Sequence, residues 1–250
     1  MKAPLIEVFS SIQGEGPAVG RRHLFVRFAG CHRACRYCDT PREADDFAEV
    51  EPFAGGGGVE YEPNPVSVER LLEIIEQLDA GRFHHAVALT GGEPLLHEDF
   101  LGGLLPRLKA GGRRAWLETA GDLPERIEGL VKELAVVAMD FKLESVTGEP
   151  ARPAAHAETL RLCRAAEVEV FVKIVVDAAT DESELFEAAG AVESAGGRET
   201  TLILQPVTPL KEGGPEPPSA EALLAWQERL LGRLSDVRIV PQVHKFLRLR

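Results

Sequence analysis

The stretch Leu24-Phe25-Val26-Arg27-Phe28-Ala29-Gly30-Cys31-His32-Arg33-Ala34-Cys35-Arg36-Tyr37-Cys38 runs from a β-rich apolar segment straight into three cysteines. Its apolar part is short and stops at a glycine, as a strand buried on both faces does. Runs of the same kind recur at 86–89, 115–118, 135–139, 168–176, 201–204 and 237–240. Helical patterns lie between them. Leu71, Ile74, Ile75 and Leu78 recur at helical spacing behind Ser67, an N-cap residue type. Leu185, Ala188, Ala189 and Val192 do the same behind Asp181, with Glu184 placed for a capping box. Leu223, Leu230, Leu231 and Leu234 follow Ser219, and further helices are expected near 98–110, 124–133 and 157–166. Strand–helix units repeated about six times predict an α/β fold with a mostly parallel sheet and right-handed crossovers. This pattern fits an open doubly wound sheet and a complete or partial barrel equally.

Two segments break the rhythm. Residues 41–66, with the glycine run 55–58 and prolines on both sides of Asn64, read as a loop insertion within a single domain spanning 1–250. Residues 211–218, rich in Gly and Pro, read as a second loop. The chain has 250 residues, 44% apolar and 27% charged, which is the balance of a globular protein. With 40 acidic residues against 28 basic, the net charge of −12 argues against a nucleic-acid or anionic-membrane partner. There is no apolar run of about 18 residues, the length a membrane helix needs. The N-terminal apolar stretch is broken by Glu7 and does not read as a signal peptide, so the expected compartment is the cytoplasm.

Cys31, Cys35 and Cys38 form a C-x3-C-x2-C spacing, while Cys163 stands apart in a helical stretch and reads as a small buried hydrophobe. Thiolates suit iron–sulfur clusters, zinc or copper. Structural zinc takes four ligands, usually as two pairs. Three cysteines without a second pair better suit a four-iron cluster with one iron open to a small molecule; zinc completed by a distant residue is the competing reading. Thr90-Gly91-Gly92-Glu93-Pro94 follows the next strand, and its glycines let backbone approach a ligand closely.

The cysteine spacing, the aromatic Tyr37 before the last cysteine and this Gly-Gly-Glu segment together resemble the radical S-adenosylmethionine superfamily. The resemblance implies a [4Fe–4S] cluster on Cys31, Cys35 and Cys38. Its open iron would bind S-adenosylmethionine, whose reductive cleavage yields a 5′-deoxyadenosyl radical.

Three further stretches narrow the resemblance: Ser11-Ile12-Gln13-Gly14-Glu15-Gly16, then Phe25 to Cys31, then Cys38-Asp39-Thr40. With 117–121, 139–142, 205–206 and 241–245 in matching order, the whole chain resembles the 7-carboxy-7-deazaguanine synthase family. That resemblance implies a partial (β/α)6 barrel and a lyase that contracts 6-carboxy-5,6,7,8-tetrahydropterin to 7-carboxy-7-deazaguanine with loss of ammonia, in queuosine and 7-deazapurine biosynthesis. It also implies Mg²⁺, a homodimer, and an external electron donor such as flavodoxin or ferredoxin.

By the same resemblance the segment 1–23 binds substrate through Ile12, Gln13, Gly14 and Glu15, joined by Arg27, Thr90 and His244. Arg27 offers a planar fork for a carboxylate, or else is a salt-bridged strand residue. Glu15 can accept two N–H bonds and Gln13 can bond in both directions. Thr40 matches the magnesium ligand, with Asp39 competing. S-adenosylmethionine is expected at Tyr37, Cys38, Asp39, Gly92, Glu93, Glu118, Asp140, Phe141, Lys142, Gln205, Pro206 and Val207. Glu118 could instead form a buried ion pair with a residue such as Lys142. Lys173, inside a strand, is placed to point into the barrel. The rival enzymatic reading is a radical activase that generates a glycyl radical on a partner protein.

Overall fold

The computed structural model describes residues 1–53, 58–209 and 214–249. Most of the glycine run 55–58, and residues 211–213 of the second expected loop, lie outside the described residues. The strands are β1 (Lys2–Ala3), β2 (Leu5–Ile12), β3 (Arg22–Phe28), β4 (Phe47–Val50), β5 (Glu60–Pro63), β6 (Val66–Ser67), β7 (Ala86–Gly91), β8 (Ala115–Thr119), β9 (Val136–Asp140), β10 (Glu169–Val176), β11 (Leu202–Pro206) and β12 (Val237–Ile239). The helices are α1 (Val68–Leu78), α2 (Glu98–Ala110), α3 (Pro124–Ile127), α4 (Glu144–Thr147), α5 (Pro153–Ala165), α6 (Glu182–Gly196), α7 (Ala220–Leu231) and α8 (Val243–Phe246).

One sheet runs in the order β12-β11-β10-β9-β8-β7-β3-β2-β4-β5. Every neighbour from β3 through β12 is parallel. The outermost strands do not pair with each other, so the barrel is partial.

The two-residue period of the strands sorts each one between two cores. Leu24, Val26 and Phe28 of β3 pack outward against helical residues such as Leu71 and Ile75. Phe25 packs inward with Phe9, Trp116, Phe171, Ala88, Val136 and Ile203. The same alternation turns Arg27, Thr90, Glu118, Asp140, Lys173 and Gln205 inward, near the carboxyl ends of their strands. Beneath them the aromatic layer is closed: Phe9 stacks on Phe25 at 5.1 Å, and Trp116 lies 5.6 Å from Phe171. Burying each such ring stabilises the fold by about 1.5–3 kcal/mol.

The helix signals act as expected at α1 and α7. Ser67 Oγ accepts the Arg70 N–H at 3.2 Å and Ser219 Oγ accepts that of Ala222 at 3.1 Å. Asp181 caps α6, accepting from Ser183 N at 2.8 Å. The capping box is a correction: Glu184 turns its carboxylate to Ser145, accepting from N at 2.9 Å and Oγ at 2.8 Å. It thereby ties α6 to α4. The expected helix 124–133 is the short α3 followed by a 3-10 turn at Val131–Glu133, a four-residue helix opened by Pro124.

Two larger differences concern the open end of the sheet. β2 is a full strand, antiparallel to β3, on a stretch outside the strand runs expected from the sequence. The segment 41–66 is not a plain loop: β4 and β5 form a hairpin whose first strand runs parallel to β2 and buries Ala48 and Val50. No helix among the described residues is long and apolar enough to cross a membrane.

Candidate active site

A cavity of about 250 Å³ sits above the aromatic layer, where the parallel strands end. The loop after β3 brings all three clustered cysteines to its wall: Cys31 and Cys35 are half-buried, Cys38 is exposed, and none is in a disulfide. Beside them the Gly91-Gly92 turn folds back on the end of β3, with Gly92 N donating to Phe28 O at 2.9 Å and Glu93 N to Gly30 O at 2.8 Å. Gly91 sits at φ +114, and a Cβ on Gly92 would lie 1.9 Å from the Gly30 carbonyl oxygen. Neither position tolerates a side chain, and the bare backbone at this turn lines the cavity.

Three soft thiolate donors opening on one cavity fit an iron–sulfur cluster. Cys163 is fully buried and burial pushes its thiol up to about 12, making it unreactive.

The opposite wall is a continuous polar network. Gln13 Nε2 donates to Glu118 Oε1 at 2.9 Å, while its Oε1 accepts from Glu15 N at 3.0 Å. Thr90 Oγ1 donates to the other Glu118 oxygen at 2.7 Å. Glu118 is therefore held by Gln13 and Thr90, and Lys142 pairs elsewhere. Lys173 Nζ donates to Glu15 Oε2 at 2.5 Å and lies 3.4 Å from Asp140 Oδ2. Lys142 Nζ bonds Asp140 Oδ2 at 2.8 Å and Tyr37 Oη at 2.9 Å. Gln242 Nε2 completes Glu15 at 2.8 Å. Burial pushes the Glu15 carboxyl up, but the charge and hydrogen bond of Lys173 outweigh it and hold Glu15 below the usual carboxylate range. Burial likewise disfavours charged Lys173, and the Glu15 and Asp140 carboxylates overcome it, so its pKa is raised. Burial, then the Asp140 charge, raise the Tyr37 phenol.

Arg27 lines the cavity and is salt-bridged too: its Nε donates to Glu7 Oε1 at 2.7 Å, its register partner across β2 and β3. Asp39 is engaged by Lys245 at 2.5 Å, whereas Thr40 lines the cavity beside it. His244 packs on Gly14, where a Cβ would come within 2.0 Å of Nδ1.

Three of the expected S-adenosylmethionine residues stand off the cavity wall. Glu93 is 0% exposed and lies outside the cavity wall. Its carboxylate accepts from Leu95 N at 3.1 Å, Thr119 Oγ1 at 2.9 Å and Ala120 N at 2.8 Å, bracing the end of β7 against that of β8. Phe141 is buried behind the wall, stacked on His156 at 4.1 Å. Pro206 is turned away by the strand alternation that directs Gln205 and Val207 inward. The other expected residues, including Ile12, line the cavity. Sequence reasoning missed Arg33, Gln242 and Lys245. The last two lie in the 241–245 segment, which was legible as a motif but not residue by residue.

Residues 25–183 match the Radical SAM superfamily. A 7-carboxy-7-deazaguanine synthase of Geobacter sulfurreducens is 35% identical, over 98% of this chain and 97% of that one. One from Thermococcus kodakarensis is 34% identical over 99% of each. The crystal structure of QueE from Escherichia coli superposes with a TM-score of 0.63 at 22% identity, covering 98% of this chain and 95% of that one, a likeness of fold. The chain belongs to the 7-carboxy-7-deazaguanine synthase family of the radical S-adenosylmethionine enzymes.

Proposed function

We propose that this enzyme converts 6-carboxy-5,6,7,8-tetrahydropterin to 7-carboxy-7-deazaguanine with loss of ammonia. One observation carries the reading: the three thiols and the Gly91-Gly92 turn share a single cavity with Gln13, Glu15, Arg27 and Thr90. A [4Fe–4S] cluster held by Cys31, Cys35 and Cys38, with S-adenosylmethionine, supplies the radical when bound. The protein's own groups orient the substrate and exclude water.

Glu15, ionised and anchored by Lys173 and Gln242, keeps lone pairs with which to accept N–H groups of the pyrimidinone edge. Gln13, just past the end of β2, and Thr90 on β7, both fixed on Glu118, position the ring system. Arg27 meets the substrate carboxylate. Asp140, Lys142 and Tyr37, with Gly92 and Gln205, form the side that receives S-adenosylmethionine. Thr40 would hold Mg²⁺, which would offer a hard cation to the substrate carboxylate, since Asp39 is engaged by Lys245.

Family resemblance further supports a cytoplasmic homodimer supplied with electrons by flavodoxin or ferredoxin. The activase reading is not favoured, since relatives aligned along the whole chain carry the synthase name.

Anaerobically reconstituted protein given reductant, S-adenosylmethionine, carboxypterin and Mg²⁺ should form the deazaguanine, identified by mass and absorbance, faster with Mg²⁺ than without. Absence of product, with a radical appearing instead on a partner protein, would overturn the assignment. Arg27→Ala should raise KM about 30- to 1,000-fold, the loss of a charge-assisted contact of about 2–4 kcal/mol. Substrate-free cleavage of S-adenosylmethionine should survive. Equal loss of both activities would make Arg27 structural.

A further inference from the structure

The loop that carries the cysteines has almost no regular structure of its own, yet it is fastened at its centre. Arg33 is 4% exposed and Asp122, in the loop after β8, is 3% exposed. Arg33 donates to Asp122 Oδ2 from Nε at 2.9 Å and Nη2 at 2.6 Å, and from Nη1 to Pro150 O at 3.1 Å. The other Asp122 oxygen faces His32 Nε2 at 2.8 Å. Asp122 thus grips the two residues that follow Cys31. The end of α4 and the residues after it hold the next turn: Ala34 N donates to Glu149 Oε1 at 2.7 Å, and Arg36 N to Thr147 O at 3.1 Å. A buried, multiply bonded ion pair contributes little net stability against an apolar replacement, but in some proteins such a pair selects one arrangement of the groups it joins. Here the arrangement selected is that of Cys31 and Cys35 relative to β8 and β9.

We propose that the Arg33–Asp122 pair is a clasp that preorganises the metal-free cysteine loop to receive its iron–sulfur cluster. Arg33 and Asp122 are positioning residues, acting through the thiols. The inference rests on the assignment of Cys31, Cys35 and Cys38 as cluster ligands.

The test uses the full chain in two states. In metal-free protein, anaerobic alkylation of each cysteine is timed by peptide mass spectrometry. Asp122→Asn and Arg33→Met should each speed labelling of Cys31 and Cys35 about 5- to 30-fold, the scale on which loss of one local restraint changes an opening equilibrium. Cys163 should stay unlabelled and thermal melting should remain cooperative. Arg33→Lys, which keeps the charge but not the fork, should fall between wild type and Arg33→Met. After reconstitution, iron and sulfide per chain should fall in the same order. Wild-type labelling rates with full iron loading in both severe variants would overturn the clasp. So would Cys163 becoming reactive alongside the loop, which would make the pair a support of the whole fold. Wild-type protein that loads iron but makes no deazaguanine would instead count against the proposed reaction and leave the clasp intact.

Discussion

Replacing Cys38 by alanine should leave reconstituted protein without bound iron and reduce turnover to background, whereas Cys163→Ala should keep both. The contrast follows from placement. Cys38 is exposed on the cavity wall together with Cys31 and Cys35, so its loss leaves two thiolates where three are needed. Cys163 is sealed in the apolar core on α5, and alanine there removes a small hydrophobe and nothing else. An enzyme stripped of the group that supplies its radical loses the whole rate enhancement, about 10⁶-fold or more on the usual scale. Iron and sulfide analysis, the visible absorption band and product formation are the measurements. Wild-type iron content in Cys38→Ala would remove the thiol from the ligand set.

Lys173→Met should lower kcat/KM at neutral pH by about two orders of magnitude, near the ~3 kcal/mol expected when one partner of a buried pair is removed. Lys173 lies between Glu15 and Asp140, 2.5 Å from one carboxylate and 3.4 Å from the other. Without the ammonium, burial governs Glu15 and its pKa rises instead of falling. A protonated Glu15 cannot accept both substrate N–H groups. The sign is definite: activity of Lys173→Met should climb with pH as Glu15 ionises, over a range where the wild-type enzyme, with Glu15 already charged, stays flat. Adding Glu15→Gln to Lys173→Met should remove that pH dependence and recover melting temperature. An unchanged kcat/KM, or a wild-type pH profile, would show that the ammonium has no part in presenting Glu15.

The parallel half of the fold was legible because strands buried on both faces leave uninterrupted apolar runs. β3, β7, β8, β9, β10, β11 and β12 all fall on segments read that way. β2 was not, because Glu7, Ser10 and Ser11 interrupt it. Their polarity is met by partners no local window reveals: Ser10 Oγ contacts His84 Nε2 at 2.7 Å and accepts from Arg22 Nε at 2.8 Å. The β4–β5 hairpin was hidden for a related reason. It lies at the sheet edge, where Glu49, Glu60, Tyr61 and Glu62 need not be apolar.

At the site, residues at strand ends were readable because the alternation that buries Leu89 and Val137 also turns Thr90 and Asp140 inward. Glu93, adjacent to Gly92, has its side chain off the cavity wall. The turn into Pro94 sends its carboxylate back toward Thr119 and Ala120. Gln242 escaped because its partner Glu15 lies 227 residues away in sequence.

The stacked rings of Phe9 and Phe25 with Trp116 and Phe171, all nearly sealed from solvent, make the reaction chamber a cul-de-sac. That floor is apolar, so a ligand resting on it is held there by shape, while its polar groups must be met by the walls.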